Sequence, residues 1–397
     1  MRILFATEID PFPPLGGETI RTFNLLKVLQ SFASVHLVIL DCHKTSKTST
    51  HETPDRSCVE SVTYIPKAKT LGSGLIERLR PPKNVLNHLV KLEETFKPDL
   101  VWLDYAYIAN YRLGFPRQKV IYGTHNVQSQ IDYQLAKLPT SNQLRKLYSN
   151  LVWKASEYHE HKFIAACDAV ITVAEHDLDY YKNFIDLNKL WVIPNFIELG
   201  KYPSPVVTKK QSMRVVFTGS MDAFQNQRAG DYLLEQIWPT IVRELPQSEL
   251  FIVGKNPPAR WLSIPDPRIR VTGKVESVIP FLQDANVAIV PILDGSGTRF
   301  KILEAMACGV PVVSTPLGCQ GIDVQNGFDI LVEESADWLA QRTIELLKSP
   351  QQQISISSKA YQLVEQKYSL EANKSKLQSL CSRLLKVNNE NSTSGNA

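Results

Sequence analysis

The stretch DGSGTRFKILEAMACGVPVVST, residues 294–315, holds the most chemically pointed residues of the chain. Gly295, Gly297 and Thr298 stand directly before two cations, Arg299 and Lys301. A single carboxylate, Glu304, follows in a run that is otherwise small and apolar. A glycine loop that opens a helix gathers unpaired backbone N–H groups around one point, and the helix dipole adds partial positive charge there. With Arg299 and Lys301 alongside, that point suits a phosphate or diphosphate. Glu304 lies a turn or so further in, where it does not serve phosphate. A carboxylate near a diphosphate suits the hydroxyl pair of a ribose, two donors facing two acceptor oxygens. An ordinary helix with a flexible entry loop and a solvated glutamate answers the same short pattern.

The elements that position these residues are legible around them. ANVAIVPIL is an apolar run of strand length, and VPVVST is β-branched and of strand length. Between them Phe300, Leu303 and Ala307 repeat at helical spacing, and Gly309 is a helix stop. The unit reads as strand, glycine loop, helix, strand. The same alternation runs through the chain, in RILFAT, VHLVIL, DLVWLD, KVIYGT, AVITVA and LWVIPN, then in RVVFTG, ELFIVG, RIRVTG, VAIVPI, VPVVST and FDILVE. Two restarts of about six strands each predict an α/β protein of two doubly wound Rossmann-like domains. The expected boundaries are 1–198, a Pro-, Lys- and Ser-rich linker 199–213, and 214–369. A helix at 370–388 would pack back on the first domain, and the polar tail 389–397 would be disordered.

In doubly wound sheets ligands bind outside the carboxyl ends of the strands. Four loops at such ends are distinctive: PLGGETIR, GTHNVQSQ, GSMDAFQN and DGSGTRFK. They divide evenly between the two domains, so a ligand touching all of them would lie in a cleft between domains.

The whole chain narrows the classes of function. At 397 residues it is long enough for two or three cores. A net charge of +4 over that length implies no nucleic-acid partner. Cys42, Cys58, Cys167, Cys308, Cys319 and Cys381 are scattered, without a CxxC pair or a histidine at metal spacing, which points to a reducing compartment and no structural zinc. The opening MRILFATEIDPFPP is interrupted too soon by Glu8 and Asp10 for a signal peptide, and no apolar stretch is long enough to span a bilayer. The expected location is the cytoplasm. One segment, 67–91 (KAKTLGSGLIERLRPPKNVLNHLVK), is basic with only Glu77 opposing and carries Leu75, Leu79, Val85, Leu86, Leu89 and Val90. It fits a peripheral contact with the inner face of a membrane, although a basic amphipathic stretch is more often a solvated helix packed on a core.

The chain resembles a GT-B fold retaining glycosyltransferase of glycosyltransferase family 4. The resemblance rests on PPLGGETIRTFNLLKVL, THNVQSQ, ACDAVITVAEHD, VIPNFIE, FTGSMD, VTGKVESVIPFLQDANVAIVPI and GSGTRFKILEAMACGVPVVST, in that order along nearly the whole chain. It implies a nucleotide-diphospho-sugar donor held by the C-terminal domain and an acceptor, a glycan or a lipid-linked molecule, held by the N-terminal domain. It implies no obligatory metal and no other cofactor.

Carried over residue by residue, the resemblance gives Gly16 and Gly17 to backbone approach near the donor phosphates, where a simple turn is the other reading. Arg21, a turn into the next helix, would face the cleft or else be a solvated helix residue. His125 matches the histidine beside the donor sugar. Gly219 and Ser220 match the loop opening the donor domain, where relatives carry Gly-Arg and then a Lys. Here that pair is absent and only Arg228 is near in sequence, so Arg299 and Lys301 would supply the charge. Gly273, Lys274 and Val275 match the loop beside the nucleotide base. Gly297 and Thr298 would hold phosphate. Glu304 matches the second glutamate of a paired motif, and Ser296 occupies the place of the first. The implied mechanism is transfer with retention and without metal, with Arg299, Lys301 and the helix start stabilising the leaving diphosphate. A nucleotide-sugar 2-epimerase and a catalytically silent nucleotide-sugar-binding protein of the same fold are the rival readings.

Overall fold

The computed structural model describes residues 1–14, 16–41, 56–67, 73–138, 142–203, 212–294 and 300–393. The chain divides into two units, Met1–Pro194 with Lys374–Ala397, and Asn195–Asn373.

The first unit is built on a parallel sheet of β1 (Arg2–Thr7), β2 (Ser34–Asp41), β3 (Ser61–Pro66), β4 (Leu100–Asp104), β5 (Lys119–Gly123), β6 (Ala169–Thr172) and β7 (Leu190–Val192). Their order is β3-β2-β1-β4-β5-β6-β7, so the direction of winding reverses between β1 and β4. Such a reversal leaves a crevice at the carboxyl ends of the two central strands. Ile3 to Ala6 and Leu100 to Leu103 are wholly buried, as expected of central parallel strands covered on both faces. Phe5 and Trp102 stack at 5.6 Å across β1 and β4. The seventh strand, β3, is one more than the apolar runs predict. It is an edge strand in which Ile65 is the one buried residue, so its sequence SVTYIP carries little hydrophobic signal.

Helix α1 (Gly17–Gln30) follows β1, α2 (Ser73–Leu79) and α3 (Lys83–Phe96) follow β3, and α4 (Gln128–Lys137) and α5 (Gln143–His159) follow β5. The basic segment 67–91 spends much of its character inward. Lys67 ion-pairs with Glu8 and with Glu77. Arg78 lies 3.7 Å from the centre of the Tyr107 ring and donates to Ser156 Oγ at 2.8 Å. Val85 and Leu89 on α3 are buried in the core that contains Leu103 and Phe115. Residues 68–72 lie outside the described residues.

The second unit is built on β8 (Arg214–Thr218), β9 (Glu249–Val253), β10 (Ile269–Val271), β11 (Val287–Val290), β12 (Val312–Ser314) and β13 (Leu331–Val332), in the order β10-β9-β8-β11-β12-β13. All six coincide with apolar runs of the sequence, and the winding reverses between β8 and β11. The helix Phe300–Ala307 joins β11 to β12 and buries Phe300, Ile302, Leu303, Ala305, Met306 and Ala307.

Beyond Pro194, Ile197 donates to Tyr368 O and accepts from Leu370 N, each at 2.8 Å. The last helix, Leu370–Thr393, starts there and buries Leu377, Leu380 and Cys381. Arg383 of that helix lies 5.7 Å from the Trp191 ring, within the first unit. Residues 389–393 therefore belong to the helix rather than to a disordered tail. A helix already nucleated gains one hydrogen bond per added residue, so a polar sequence can extend it. Residues 394–397, and 204–211 of the expected linker, lie outside the described residues.

Candidate functional site

At the carboxyl ends of β8 and β9 two glycines bring backbone against backbone. A Cβ on Gly254 would fall 1.7 Å from the Gly219 carbonyl oxygen, and Gly219 N donates to Val253 O at 3.0 Å. Only glycine fits at 254. A Cβ on Gly219 would stand 2.9 Å from Lys301 Nζ. Lys301, in the first turn of its helix, donates to Asn226 Oδ1 at 2.8 Å, and Asn226 Nδ2 donates to Ser220 O at 2.8 Å. The lysine also sits 4.5 Å from the centre of the Phe217 ring. The loop that lacks a lysine in sequence thus receives one from the helix after β11.

Further charges surround that point. Arg228 pairs with Asp294 at 2.5 Å, where the glycine loop begins. Lys255, just past Gly254, pairs with Asp222 at 3.2 Å, and Ser220 Oγ donates to the same carboxylate at 3.1 Å. These cations gather at the strand ends beside the switch between β8 and β11, where an anion would meet full positive charges. Gly297, Thr298 and Arg299 lie outside the described residues, as does Ser296. At the end of β10, Gly273 has a left-handed φ of 71° and open space around it, so its backbone conformation is what calls for glycine. Val275 beyond it is half-buried.

Glu304 follows Lys301 by one turn on the same helix and is half-buried. Tyr202 donates a long hydrogen bond of 3.4 Å to its Oε1. Burial pushes the carboxyl up to about 7, against the opposing pull of the Tyr202 hydroxyl and the Lys301 charge. The group therefore changes charge near neutrality. Ionised, it offers two acceptor oxygens of the kind a vicinal diol needs.

The first unit carries a different arrangement at its own switch point. Asp104, the last residue of β4, is wholly buried. Its Oδ2 accepts from His125 Nε2 at 3.0 Å and from Thr22 Oγ1 at 2.9 Å. Burial alone would raise this carboxyl, but His125, the Arg21 charge and Thr22 hold it below its usual value. With Nε2 directed at a carboxylate, that nitrogen carries a proton and donates it to Asp104. The edge of the Tyr105 ring meets His125 at 5.2 Å, and Tyr105 holds a positive φ of 102°. A non-glycine residue in that region stores backbone strain, which concentrates at functional sites. Gly123 makes the room: a Cβ there would fall 2.4 Å from Asp104 Oδ1.

Arg21 corrects the expectation of a solvated side chain. It is 3% exposed, donates to Ile193 O at 3.2 Å, and lies in the field of Asp104 and Asp177. Desolvation of a guanidinium is tolerable only with such counter-charges, so Arg21 serves the buried network. Gly16 precedes α1 and Gly17 opens it. Gly16 N donates to Thr19 Oγ1 at 2.9 Å, which closes the first turn.

Sequence reasoning did not single out Asp104, Asn226, Tyr202 or Lys255. Asp104 had a usable signal, a carboxylate ending the apolar run DLVWLD. Asn226, six residues after Ser220 in a polar helix start, had none. Among the described residues, no three His, Cys, Asp or Glu side chains converge as a metal site would require, and no helix is long and apolar enough to cross a membrane.

Comparison with known proteins follows the same division. Residues 15–201 match the model described as Glycosyltransferase Family 4, and residues 212–349 the model described as Glycosyl transferases group 1. An uncharacterised 44.6 kDa protein in the cps region of Klebsiella pneumoniae is 21% identical over 289 residues, covering 70% of this chain and 72% of that protein. A GDP-mannose-dependent monoacylated alpha-(1-6)-phosphatidylinositol monomannoside mannosyltransferase of Corynebacterium glutamicum is 28% identical over 157 residues, 36% of this chain and 41% of that protein. Among solved structures, sucrose-phosphate synthase from Thermosynechococcus elongatus is similar with a TM-score of 0.72 at 17% identity, covering 98% of this chain and all of that one. Anabaena HepE in complex with UDP is similar at 0.66 and 15% identity, covering 96% of this chain and all of that one. The structural likeness shows the fold, and the two family matches run in order along the two units. The chain belongs to the group 1 glycosyltransferases, enzymes of glycosyl transfer built from two Rossmann-like domains.

Proposed function

We propose that the enzyme moves a hexosyl group, with retention at the anomeric carbon, from a nucleoside-diphospho-sugar to a hydroxyl of a glycan or lipid-linked acceptor. The product would be a polysaccharide or other glycoconjugate. The observation that carries the reading is Lys301, held by Asn226 against the Gly219–Ser220 loop at the carboxyl end of β8. A mannosyltransferase that uses GDP-mannose and a neighbour in complex with UDP support a nucleoside diphosphate as the carrier.

In this reading the diphosphate meets the backbone of Gly219, Ser220, Gly297 and Thr298 and the charges of Arg299 and Lys301. Glu304 takes the ribose hydroxyls, the turn at Gly273 and Val275 lies by the base, and Gly16 and Gly17 let backbone approach the phosphates. His125 is assigned to the transferred sugar, with Asp104 fixing its orientation. As the bond from anomeric carbon to leaving oxygen lengthens, negative charge grows on the diphosphate, and cations fixed beforehand stabilise it without reorganising. A leaving phosphate oxygen can then take the proton of the acceptor hydroxyl as the new bond forms on the same face.

Calorimetric titration of UDP and GDP, with magnesium and with EDTA, tests the metal-free reading; binding lost in EDTA overturns it. Steady-state transfer assays test the cations. Arg299→Ala and Lys301→Ala should each lower turnover on the order of 10²-fold, more than they weaken donor binding. Arg299→Lys should recover part of it, since an ammonium cannot fork onto two oxygens. Full activity in both alanine variants would return the segment to an ordinary helix start.

A further inference from the structure

Just past β4, Tyr105 and Tyr107 hold positive φ values of 102° and 65°. Residues with a side chain rarely adopt that half of backbone space, and their surroundings must hold them there. The fold accounts for Tyr107. Its hydroxyl donates to Asp132 Oδ2 at 2.9 Å, and the Arg78 guanidinium lies 3.7 Å from the centre of its ring. Tyr105 is held more lightly. Its N–H donates to Gly123 O at 3.2 Å, its ring meets His125 edge-on, and its hydroxyl reaches Glu18 Oε2 over 3.3 Å. Glu18 is exposed, in the first turn of α1. The pair spans the crevice between β1 and β4, from the helix that follows one strand to the loop that follows the other. Contacts this slight do not explain the backbone strain of Tyr105, which points instead to a task beside His125.

The neighbouring groups indicate what the ring meets. An aromatic ring beside a carboxylate suits a pyranose, whose C–H face packs on the ring while its hydroxyls donate to the carboxylate. Burial, and then the charges of Glu18 and Glu8, push the Tyr105 hydroxyl up, so it stays protonated and able to donate. Positive charge at this end of the sheet is already engaged. Lys67 pairs with Glu8 and Glu77, and Arg78 donates to the Tyr107 hydroxyl at 2.6 Å and to Ser156 Oγ at 2.8 Å. Among the described residues no cation pairs with Glu18. A phosphate or carboxylate next to the reacting hydroxyl would be set against Glu18 and Glu8, whereas an uncharged sugar meets no such repulsion.

We propose that Tyr105 and Glu18 form the acceptor wall of the first unit and select an uncharged sugar as the unit that receives the transferred group. This rests on the transfer reaction given above, whose second substrate it names, and it assigns nothing to the donor.

Saturation-transfer NMR on the full chain without nucleotide tests it. The probes are the methyl α-glycosides of glucose, mannose and galactose, set against glucose 6-phosphate and glucuronate. The parent should bind at least one glycoside, and should bind both anions at least about tenfold more weakly. Glu18→Ala should weaken glycoside binding about tenfold, the effect of losing one charge-assisted hydrogen bond. Tyr105→Phe keeps the ring and should lose only a few-fold. Tyr105→Gly should also lose about tenfold, yet melt at or above the parent temperature, because glycine adopts a φ of 102° without strain. A tyrosine retained for packing would lower the melting temperature when removed. Should the glycine variant fail to fold, Glu18→Ala and Tyr105→Phe carry the test. Absence of glycoside binding by the parent overturns the proposal. So does tighter binding of glucose 6-phosphate, and so does undiminished binding by Glu18→Ala and Tyr105→Phe. Failure of the donor reading shows separately: glycoside binding in a chain that takes neither UDP nor GDP would leave this wall in place and remove that reading.

Discussion

The two units share one winding order and treat charge in opposite ways. In the first, Asp104, Arg21 and His125 are withdrawn from water, with His125 and Thr22 bonded to Asp104 and Arg21 lying in its field. In the second, Arg228–Asp294 and Lys255–Asp222 are pairs whose side chains remain 38–47% exposed. A buried network is costly to leave half made, so it fixes geometry, here the orientation of His125. An exposed pair contributes little and separates easily, so its cation can turn to an incoming phosphate at small cost. The first arrangement positions a group; the second exchanges partners.

That contrast sets the size of the effects to expect. The largest belongs to Asp104→Ala, which strands His125 without its carboxylate, leaves Arg21 with the field of Asp177 alone, and should cost about 3–5 kcal/mol. Urea unfolding of the full chain would show an early loss of the first unit, with Asp104→Asn milder. A variant as stable as its parent would put the charges of both units on the same footing.

An intermediate effect falls on Glu304. Its carboxyl rises from 4.5 to about 7 in the folded chain, so a proton competes with the donor below neutrality. Donor affinity should fall about tenfold between pH 8 and pH 6, and Glu304→Gln, weaker throughout, should lack that slope. The stability of the unliganded chain follows the opposite sign. With the folded value raised, this group's contribution is complete below about pH 4.5 and is lost as pH rises through about 7. Calorimetry at the two pH values decides; a parent slope no steeper than that of Glu304→Gln would remove the carboxylate from the ribose.

The smallest effect is predicted for Lys255→Ala, with an unchanged melting temperature and only a few-fold loss of donor affinity. A marked fall in melting temperature would make its pair with Asp222 a structural tie rather than an exchangeable one.

Most of the sheet architecture was legible because parallel strands covered on both faces are nearly continuous apolar runs. Val287–Val290 and Leu100–Asp104 show this plainly, and β3 escaped because an edge strand needs only one buried residue to hold its place. Glu304 and Lys301 could be picked out because they break an apolar helix. Lys301's partner could not: nothing in the sequence says that Asn226, 75 residues earlier, lies against it. The burial of Arg21 was not legible because a helix reading gives a face but not which side is covered. The glycine loop 295–299, the strongest signal in the sequence, lies outside the described residues.

The chain leaves the first unit at Pro194 and returns to it at Lys374, and the two crossings lie beside each other where Ile197 pairs with Ser369. The second unit is thus encoded as one uninterrupted stretch with adjoining ends, while the first is encoded in two pieces. A premature stop just before codon 374 would spare the residues of the second unit. It would strip Leu377, Leu380 and Cys381 from the first. The first unit is therefore completed only by residues that are translated after the whole of the second.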